Sequence, residues 1–194
     1  MTLDQINQWT DIKIDQLKTK YNLNNFVETG VYLGASVQIA YNSGFTSVYS
    51  CDIDNTHVNN ARNNFPHANI FSGDSITFLK DVLPSLTGTT LFWLDAHFPE
   101  FYNYAYEDST WKMPLFTELE LIKQYKVNYA HDVIICDDMR VMRHTNNPKY
   151  VPGELDEYLY IDMDWDAFVN QFSDTHDYQI LMPDSGAIIW TPKE

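Results

Sequence analysis

Short apolar runs alternate with stretches of helical periodicity along this chain, and each run up to the last hairpin closes on an acidic residue or on a glycine beside one. Residues 3–21 carry Leu3, Ile6, Trp9, Ile14, Leu17 and Tyr21 at helical spacing, which predicts a leading amphipathic helix. Phe26 and Val27 then lead into Glu28-Thr29-Gly30, and a helix is expected over 35–41. Residues 46–51 (TSVYSC) read as a strand closed by Asp52, with a polar helix running on to Asn64. A short strand over 69–72 is closed by Gly73-Asp74-Ser75, where Ser75 is expected to cap the next helix. Residues 90–94 (TLFWL) end in Asp95, 114–125 read as a helix, and 132–136 (DVIIC) end in Asp137-Asp138. A helix over 165–172 precedes two strands, 178–182 and 187–190, joined by the turn Pro183-Asp184-Ser185-Gly186.

Strands that alternate with helices form a parallel sheet with helices on both faces. Strands buried on both faces are near-continuous apolar runs, as TLFWL and DVIIC are. The expected fold is therefore a doubly wound α/β, Rossmann-like sheet of seven strands, mostly parallel and finishing in an antiparallel hairpin. No repeat or linker divides residues 1–194, so they are read as one domain, with 1–24 as its leading helix. Ligands of such sheets sit beyond the carboxyl ends of the strands. Glu28, Asp52, Asp74, Asp95 and Asp137 should thus converge on one rim.

Charge removes some function classes. A formal net charge of −15 repels phosphate backbones and leaves no basic stripe for nucleic acid. No uncharged apolar stretch has the length of a membrane span, and the amino terminus carries no secretion-like signal, so a cytoplasmic protein is expected. Cys51 and Cys136 fall on strands three spacings apart, roughly 14 Å, too far for a disulfide.

The turn after the first strand reads Glu28-Thr29-Gly30-Val31-Tyr32-Leu33-Gly34. A dinucleotide turn needs a bare glycine at its second glycine position so that a pyrophosphate can approach the backbone. Tyr32 occupies that position and obstructs it. A cofactor without a pyrophosphate can still lie across the turn.

At these residues the sequence resembles the class I S-adenosylmethionine-dependent methyltransferases, over residues 26–190. VETGVYLG looks like their first motif, Asp52 like the acid after the second strand, and Gly73-Asp74-Ser75 like the adenine-contacting turn. The resemblance implies that S-adenosylmethionine is the cofactor, with Glu28, Thr29, Gly30 and Gly34 shaping its methionine pocket. It implies that Asp52 accepts both ribose hydroxyls, that Asp74 and Ser75 meet the adenine, and that Asp95 borders the site. Tyr32 departs from the pattern, since many members carry glycine there. Taken singly, an acid at a strand end also serves as a helix cap or a solvated charge.

Asp95, Asp137 and Asp138 end adjacent strands in the expected order, and carboxylates that close repel unless a cation joins them. Hard divalent cations take oxygen ligands. The pattern is similar to metal-dependent O-methyltransferases of the catechol and sugar-modifying types, which implies that these three acids hold magnesium or manganese. The alternative is that Asp137 and Asp138 cap the following loop.

His97, two residues beyond Asp95, is the candidate general base, because imidazole titrates near neutral pH. An orienting or structural role is the alternative, and His131 and His144 are other histidines in polar loops. Arg140 can grip an anionic substrate group or pair with a neighbouring aspartate. Residues 98–111, which include Tyr102 and Tyr104, are rich in aromatics and suit a substrate wall or simple packing. The function implied is methyl transfer to a hydroxyl of a small substrate, a sugar or sugar-derived metabolite, with metal assistance. The alternatives are a metal-independent methyltransferase with His97 as base and a non-catalytic cofactor-binding domain.

Overall fold

A computed structural model describes residues 12–96, 114–137, 139, 142–143, 161–162, 164–181 and 186–194. Helix α1 (Ile14–Lys20) is the described part of the leading helix; residues 3–11 lie outside the described residues. The chain continues through β1 (Asn25–Thr29), α2 (Ala35–Asn42), β2 (Ser47–Asp52), α3 (Asn55–Asn64), β3 (Asn69–Ser72) and α4 (Ser75–Val82). It goes on through β4 (Thr90–Leu94), α5 (Leu115–Tyr125), β5 (Val133–Cys136), a short pair β6 (Met142–Arg143) and β7 (Ile161–Asp162), α6 (Trp165–Val169), β8 (His176–Leu181) and β9 (Ala187–Pro192).

The main sheet has seven strands in the order β3-β2-β1-β4-β5-β9-β8. β1 to β5 pair in parallel, and β9 runs antiparallel to both β5 and β8. The order reverses between β1 and β4, which makes their carboxyl ends the crevice of the sheet. β6 and β7 form a separate two-stranded parallel pair that the sequence did not announce, because each is only two residues long.

Alternation along the strands explains why they are apolar throughout. Phe92 and Leu94 of β4 join Val27, Ile134 and Trp190 in one core cluster, beneath Leu79 of α4, Leu119 of α5 and Phe168 of α6. Leu91 and Trp93 point the other way, to Phe26, Val48, Val133 and Ile135, and are covered by Val37 and Ala40 of α2 and Val58 of α3. Successive side chains of a strand face opposite sides, so a sheet covered twice needs apolar residues at every position. Cys51 and Cys136 are both free and buried, on strands separated by β1 and β4, as their spacing requires.

Helix starts follow from capping carboxylates. Asp54 caps α3 by accepting from the Thr56 N–H at 2.6 Å, and Asp164 caps α6 through the Ala167 N–H at 3.0 Å. Asp74, rather than Ser75, caps α4, accepting from the Thr77 N–H at 2.8 Å; Ser75 is already the buried first residue of the helix. A carboxylate at this position also complements the helix dipole. α6 ends at Val169, short of the expected residue 172, and β8 begins at His176, two residues earlier than expected.

The early start of β8 has a polar cause at the amino end of the sheet. His176 is buried, faces Tyr129 in a parallel stack and meets Phe172 edge-on. Its Nε2 lies 3.0 Å from the Asp132 carbonyl and its Nδ1 2.7 Å from the Thr175 hydroxyl. A carbonyl only accepts, so Nε2 carries the proton and Nδ1 accepts from Thr175. The Asp132 carboxylate accepts from the Thr90 N–H at 2.7 Å and meets the buried Lys126 ammonium at 3.3 Å. Lys126 also donates to the carbonyls of Gly88 and Val127. These contacts pin the starts of β4, β5 and β8 together, and no apolar pattern could have revealed them.

Candidate active site

The turn between β1 and α2 is built from left-handed backbone. Gly30, Tyr32 and Gly34 have φ of +88°, +43° and +79°. Glycine adopts such angles without steric cost, whereas a side-chain-bearing residue is strained there. Tyr32 therefore keeps the backbone shape that a glycine would take at its position. Its side chain is exposed and packs against His57 at a tilt of 60°, with ring centroids 4.9 Å apart. The amides of Gly30 and Val31 donate to the Cys51 carbonyl at 3.0 and 2.8 Å, so the turn is fastened to the end of β2.

Both predicted glycines are held by contact as well as by angle. A Cβ on Gly30 would lie 2.6 Å from the Asp95 carbonyl oxygen, and one on Gly34 would lie 2.5 Å from the Phe65 ring. Thr29 is fully buried, and both its carbonyl and its hydroxyl accept from the Asp95 N–H, at 3.1 and 3.2 Å. The end of β1 and the end of β4 are thereby locked across the crevice.

Asp52 stands at the mouth of the turn, half-buried. One carboxylate oxygen accepts from the Tyr32 N–H at 2.8 Å and the other from the Asp54 N–H at 2.8 Å. Burial pushes its carboxyl above the usual range, while those two N–H donors pull it back. A carboxylate offers about four acceptor sites, so each oxygen retains capacity for a second donor.

Glu28 lies deeper, at the end of β1. It is 1% exposed, and its two oxygens accept from Ser50 of β2 at 2.5 Å and from Ser36 of α2. Burial pushes its carboxyl up to about 8, against the Ser50 hydrogen bond and with a further push from Asp52.

Asp95 and Asp137 come one residue after the paired ends of β4 and β5, where Leu94 faces Cys136 and the Asp137 N–H donates to the Leu94 carbonyl at 3.2 Å. Their donor chemistry, two carboxylates at neighbouring strand ends, fits a hard divalent cation. Among the described residues no group of three His, Cys, Asp or Glu side chains is gathered for a metal, and Asp138, the third acid expected there, lies outside the described residues. His97, Tyr102, Tyr104, Arg140, His144 and the aromatic run 98–111 also lie outside them. His131 does not belong to the rim: it precedes β5, at the amino end of the sheet.

Glu118 was not anticipated. It is 1% exposed on α5 and adds to the burial that raises the thiols of Cys51 and Cys136, near the carboxyl ends of β2 and β5. The signal was present, since Leu115, Glu118, Leu119 and Ile122 make an i, i+3, i+4, i+7 stripe with one carboxylate in it. A polar hollow of about 420 Å³ between Lys18, Asn24, Ser47 and Gly88 lies at the opposite, amino end of β1 and β2.

The assembled rim fits a nucleoside cofactor that has no pyrophosphate: an open left-handed turn, Asp52 with spare acceptor capacity, and Asp74 at the next strand end. No protein-family model and no curated protein matches the sequence. Solved structures do match it in shape. An SAH-bound methyltransferase from Podospora anserina, PaMTH1, superposes with a TM-score of 0.61 at 16% identity, over 93% of this chain and 76% of that one. A candidate caffeoyl-CoA O-methyltransferase from Staphylococcus aureus gives 0.60 at 14% identity, over 100% and 93%. An O-methyltransferase from Bacillus cereus, in complex with SAH, gives 0.60 at 15% identity, over 93% and 79%. The sheet order and these likenesses together establish that the chain has the Rossmann-like fold of the class I S-adenosylmethionine-dependent methyltransferases.

Proposed function

We propose that residues 1–194 act as one S-adenosylmethionine-dependent O-methyltransferase domain, methylating a hydroxyl of a small sugar or sugar-derived metabolite with the help of a divalent cation. The observation that carries this reading is the crevice between β1 and β4. There the left-handed turn and Asp52 close β1 and β2, and Asp95 and Asp137 close the neighbouring strands β4 and β5. The likeness in fold to SAH-bound methyltransferases supports the cofactor, and the aromatic run 98–111 supports a ring-bearing or sugar acceptor at sequence level.

The cofactor, when bound, supplies an electrophilic sulfonium methyl. The remaining work falls to the chain. Gly30 and Gly34 hold the left-handed turn that carries the methionine portion, since a Cβ on either would strike the Asp95 peptide or the Phe65 ring. Asp52 presents two oxygens to a pair of ribose hydroxyls. Asp74 spends Oδ1 on the helix cap, and Oδ2 is the oxygen left for the adenine amino group, beside Ser75. Asp95, Asp137 and Asp138 would hold a divalent cation, whose charge would make the acceptor hydroxyl easier to deprotonate. His97 takes the hydroxyl proton. Arg140, Tyr102 and Tyr104 line the acceptor side. Positioning of the oxygen in line with the methyl supplies much of the remaining rate.

Calorimetric titration with S-adenosylhomocysteine, first in chelator and then with magnesium, tests the reading. Binding in both conditions supports it and directs a screen of hydroxylated acceptors with and without metal. Absence of binding in both overturns it. Binding with turnover unaffected by chelator would instead favour metal-independent chemistry through His97.

A further inference from the structure

At the amino end of the sheet, the hollow of about 420 Å³ opens between Lys18 of α1, the starts of β1 and β2, and the turn that leads into β4. Its size is ordinary for a small-molecule site. The wall on the β4 side is fixed. Gly88 stands at φ +81°, its carbonyl accepts from the buried Lys126 ammonium, and a Cβ there would meet Asn24 Oδ1 at 2.6 Å. That oxygen accepts in turn from the Thr89 N–H at 3.2 Å and the Thr89 hydroxyl at 3.1 Å.

Two groups bordering this hollow lack the partners that enclosed polar groups ordinarily have. Asn25 is 6% exposed, and its Nδ2 donates to the Thr87 carbonyl at 2.8 Å and to the Thr90 hydroxyl at 3.3 Å. A carbonyl only accepts, so the amide orientation is set and Oδ1 is the atom left over. Oδ1 accepts from no described group and is not sealed in the core, so it faces the hollow that Asn25 borders. Lys18 is half-buried, and its ammonium pairs with no carboxylate among the described residues. It rests instead over the Phe45 ring, 5.3 Å from the centroid. The hydroxyls of Thr46, Ser47 and Thr87 bond no described group and border the same space. In a chain of net charge −15, no carboxylate among the described residues lines it.

We propose that this hollow is a second ligand site, for a small polyhydroxylated anion of the sugar-phosphate or sugar-acid kind. Lys18 meets the anionic group, and Asn25 Oδ1 accepts from a ligand hydroxyl. The class follows from the lining. A bare anion has no donor and leaves the Asn25 oxygen unmatched, whereas a neutral sugar leaves Lys18 without a counter-charge. A ligand hydroxyl both donates and accepts, so it suits the Asn25 oxygen and the Ser and Thr hydroxyls alike. The site lies at the far end of the strands from Asp52 and Asp95 and does not depend on the methyltransferase reading.

The test is amide chemical-shift mapping on the full chain with glucose 6-phosphate, gluconate, glucose and sulfate, each at millimolar concentration. Saturable shifts over residues 44–47 and 87–89, with residues 30–34 unmoved, are expected for glucose 6-phosphate or gluconate. Whichever binds more tightly identifies the anionic group, and glucose and sulfate are expected to bind at least tenfold more weakly than it. Lys18→Met is expected to weaken that probe at least tenfold. Thr46→Trp fills the hollow while leaving both hydrogen bonds of the Asn25 amide in place, and it is expected to abolish binding. Unchanged β4 and β5 amide shifts check that both variants fold. No shift with any probe, shifts confined to other residues, or equal affinity for sulfate or for glucose overturns the proposal. Undiminished binding in both folded variants overturns it as well. Affinity for S-adenosylhomocysteine, measured on the same samples, decides the methyltransferase reading separately.

Discussion

Gly30 rests on the peptide of Asp95: a Cβ added to the glycine would stand 2.6 Å from the Asp95 carbonyl oxygen and 3.0 Å from its carbon. Both obstacles are backbone, so no side chain can swing away. The same two strand ends are joined by the Asp95 N–H, which donates to the carbonyl and hydroxyl of Thr29. Gly30→Ala must therefore push β1 and β4 apart at the crevice while also holding an alanine at φ +88°. The strained angle alone costs on the order of 1–3 kcal/mol. The expected result is a lowered unfolding midpoint and no calorimetric binding of S-adenosylhomocysteine. Wild-type affinity in this variant would show that the crevice between β1 and β4 is not where the cofactor lies.

The two sides of the crevice should separate by mutation. Asp52→Ala removes the acceptor of the Tyr32 and Asp54 amides together with the oxygens assigned to the ribose, so affinity for S-adenosylhomocysteine should fall at least tenfold. Asp137→Ala lies across β1 and β4 from that contact and should spare cofactor binding while abolishing metal-dependent turnover. Full activity of Asp137→Ala in chelator would remove the metal from the mechanism.

How far the sequence could be read depended on the kind of force involved. Periodicity located the central strands, because a sheet covered on both faces writes itself as apolar runs; TLFWL and the VIIC of β5 are buried at every position, whereas β3 and β8, at the edges and largely exposed, are marked by the turns beside them. The acids at the strand ends were equally legible, since a period-two strand followed by a helix leaves few positions for its closing residue. Polar contacts within the core were not. Nothing in the sequence announces that Ser36, eight residues on, and Ser50, on the next strand, both hydrogen-bond the Glu28 carboxyl. Asp132 reads as the first residue of a strand and His176 carries no signal, yet together they are the buried fastening between β5 and β8. Hydrogen bonds between residues 44 or more positions apart leave no periodic trace.

The ion pair at the amino end of the sheet makes a separate prediction about stability. Lys126 and Asp132 are almost wholly buried and 3.3 Å apart. Burial nevertheless pushes the Asp132 carboxyl up to about 7, so desolvation outweighs the pull of Lys126 and of the Thr90 amide. Lys126→Met removes the group that pulls this carboxyl down, so Asp132 takes up a proton and is left without its buried partner, which should cost about 1–3 kcal/mol. Adding Asp132→Asn to it keeps an acceptor for the Thr90 amide without an ionisable group and should recover part of the loss. Urea unfolding of the parent, the single and the double variant checks this. A double variant no more stable than Lys126→Met would mean that the pair contributes through geometry rather than charge.

His176 gives the acid limb of stability a sign. Burial holds its imidazole below the ordinary value of 6.5, with the Asp132 carbonyl and Asp177 opposing and His131 assisting. Between the lowered folded value and 6.5 the unfolded chain binds a proton that the folded protein refuses, so stability rises with pH across that window. Acidification from pH 7 to 5 should therefore draw a destabilising contribution from this histidine alone. Asp132 acts in the opposite sense: its raised carboxyl makes the fold bind the extra proton, so its contribution is full at low pH and lost as the pH rises through about 7. Comparison with His176→Phe isolates the histidine, because the Asp132 carboxyl remains in both proteins. The variant is less stable at pH 7, having lost the hydrogen bonds to Asp132 and Thr175, yet the gap between the two midpoints should narrow between pH 7 and pH 5. Parallel acid profiles for the two proteins would mean that His176 carries the same charge folded and unfolded, and that another group sets the acid limb.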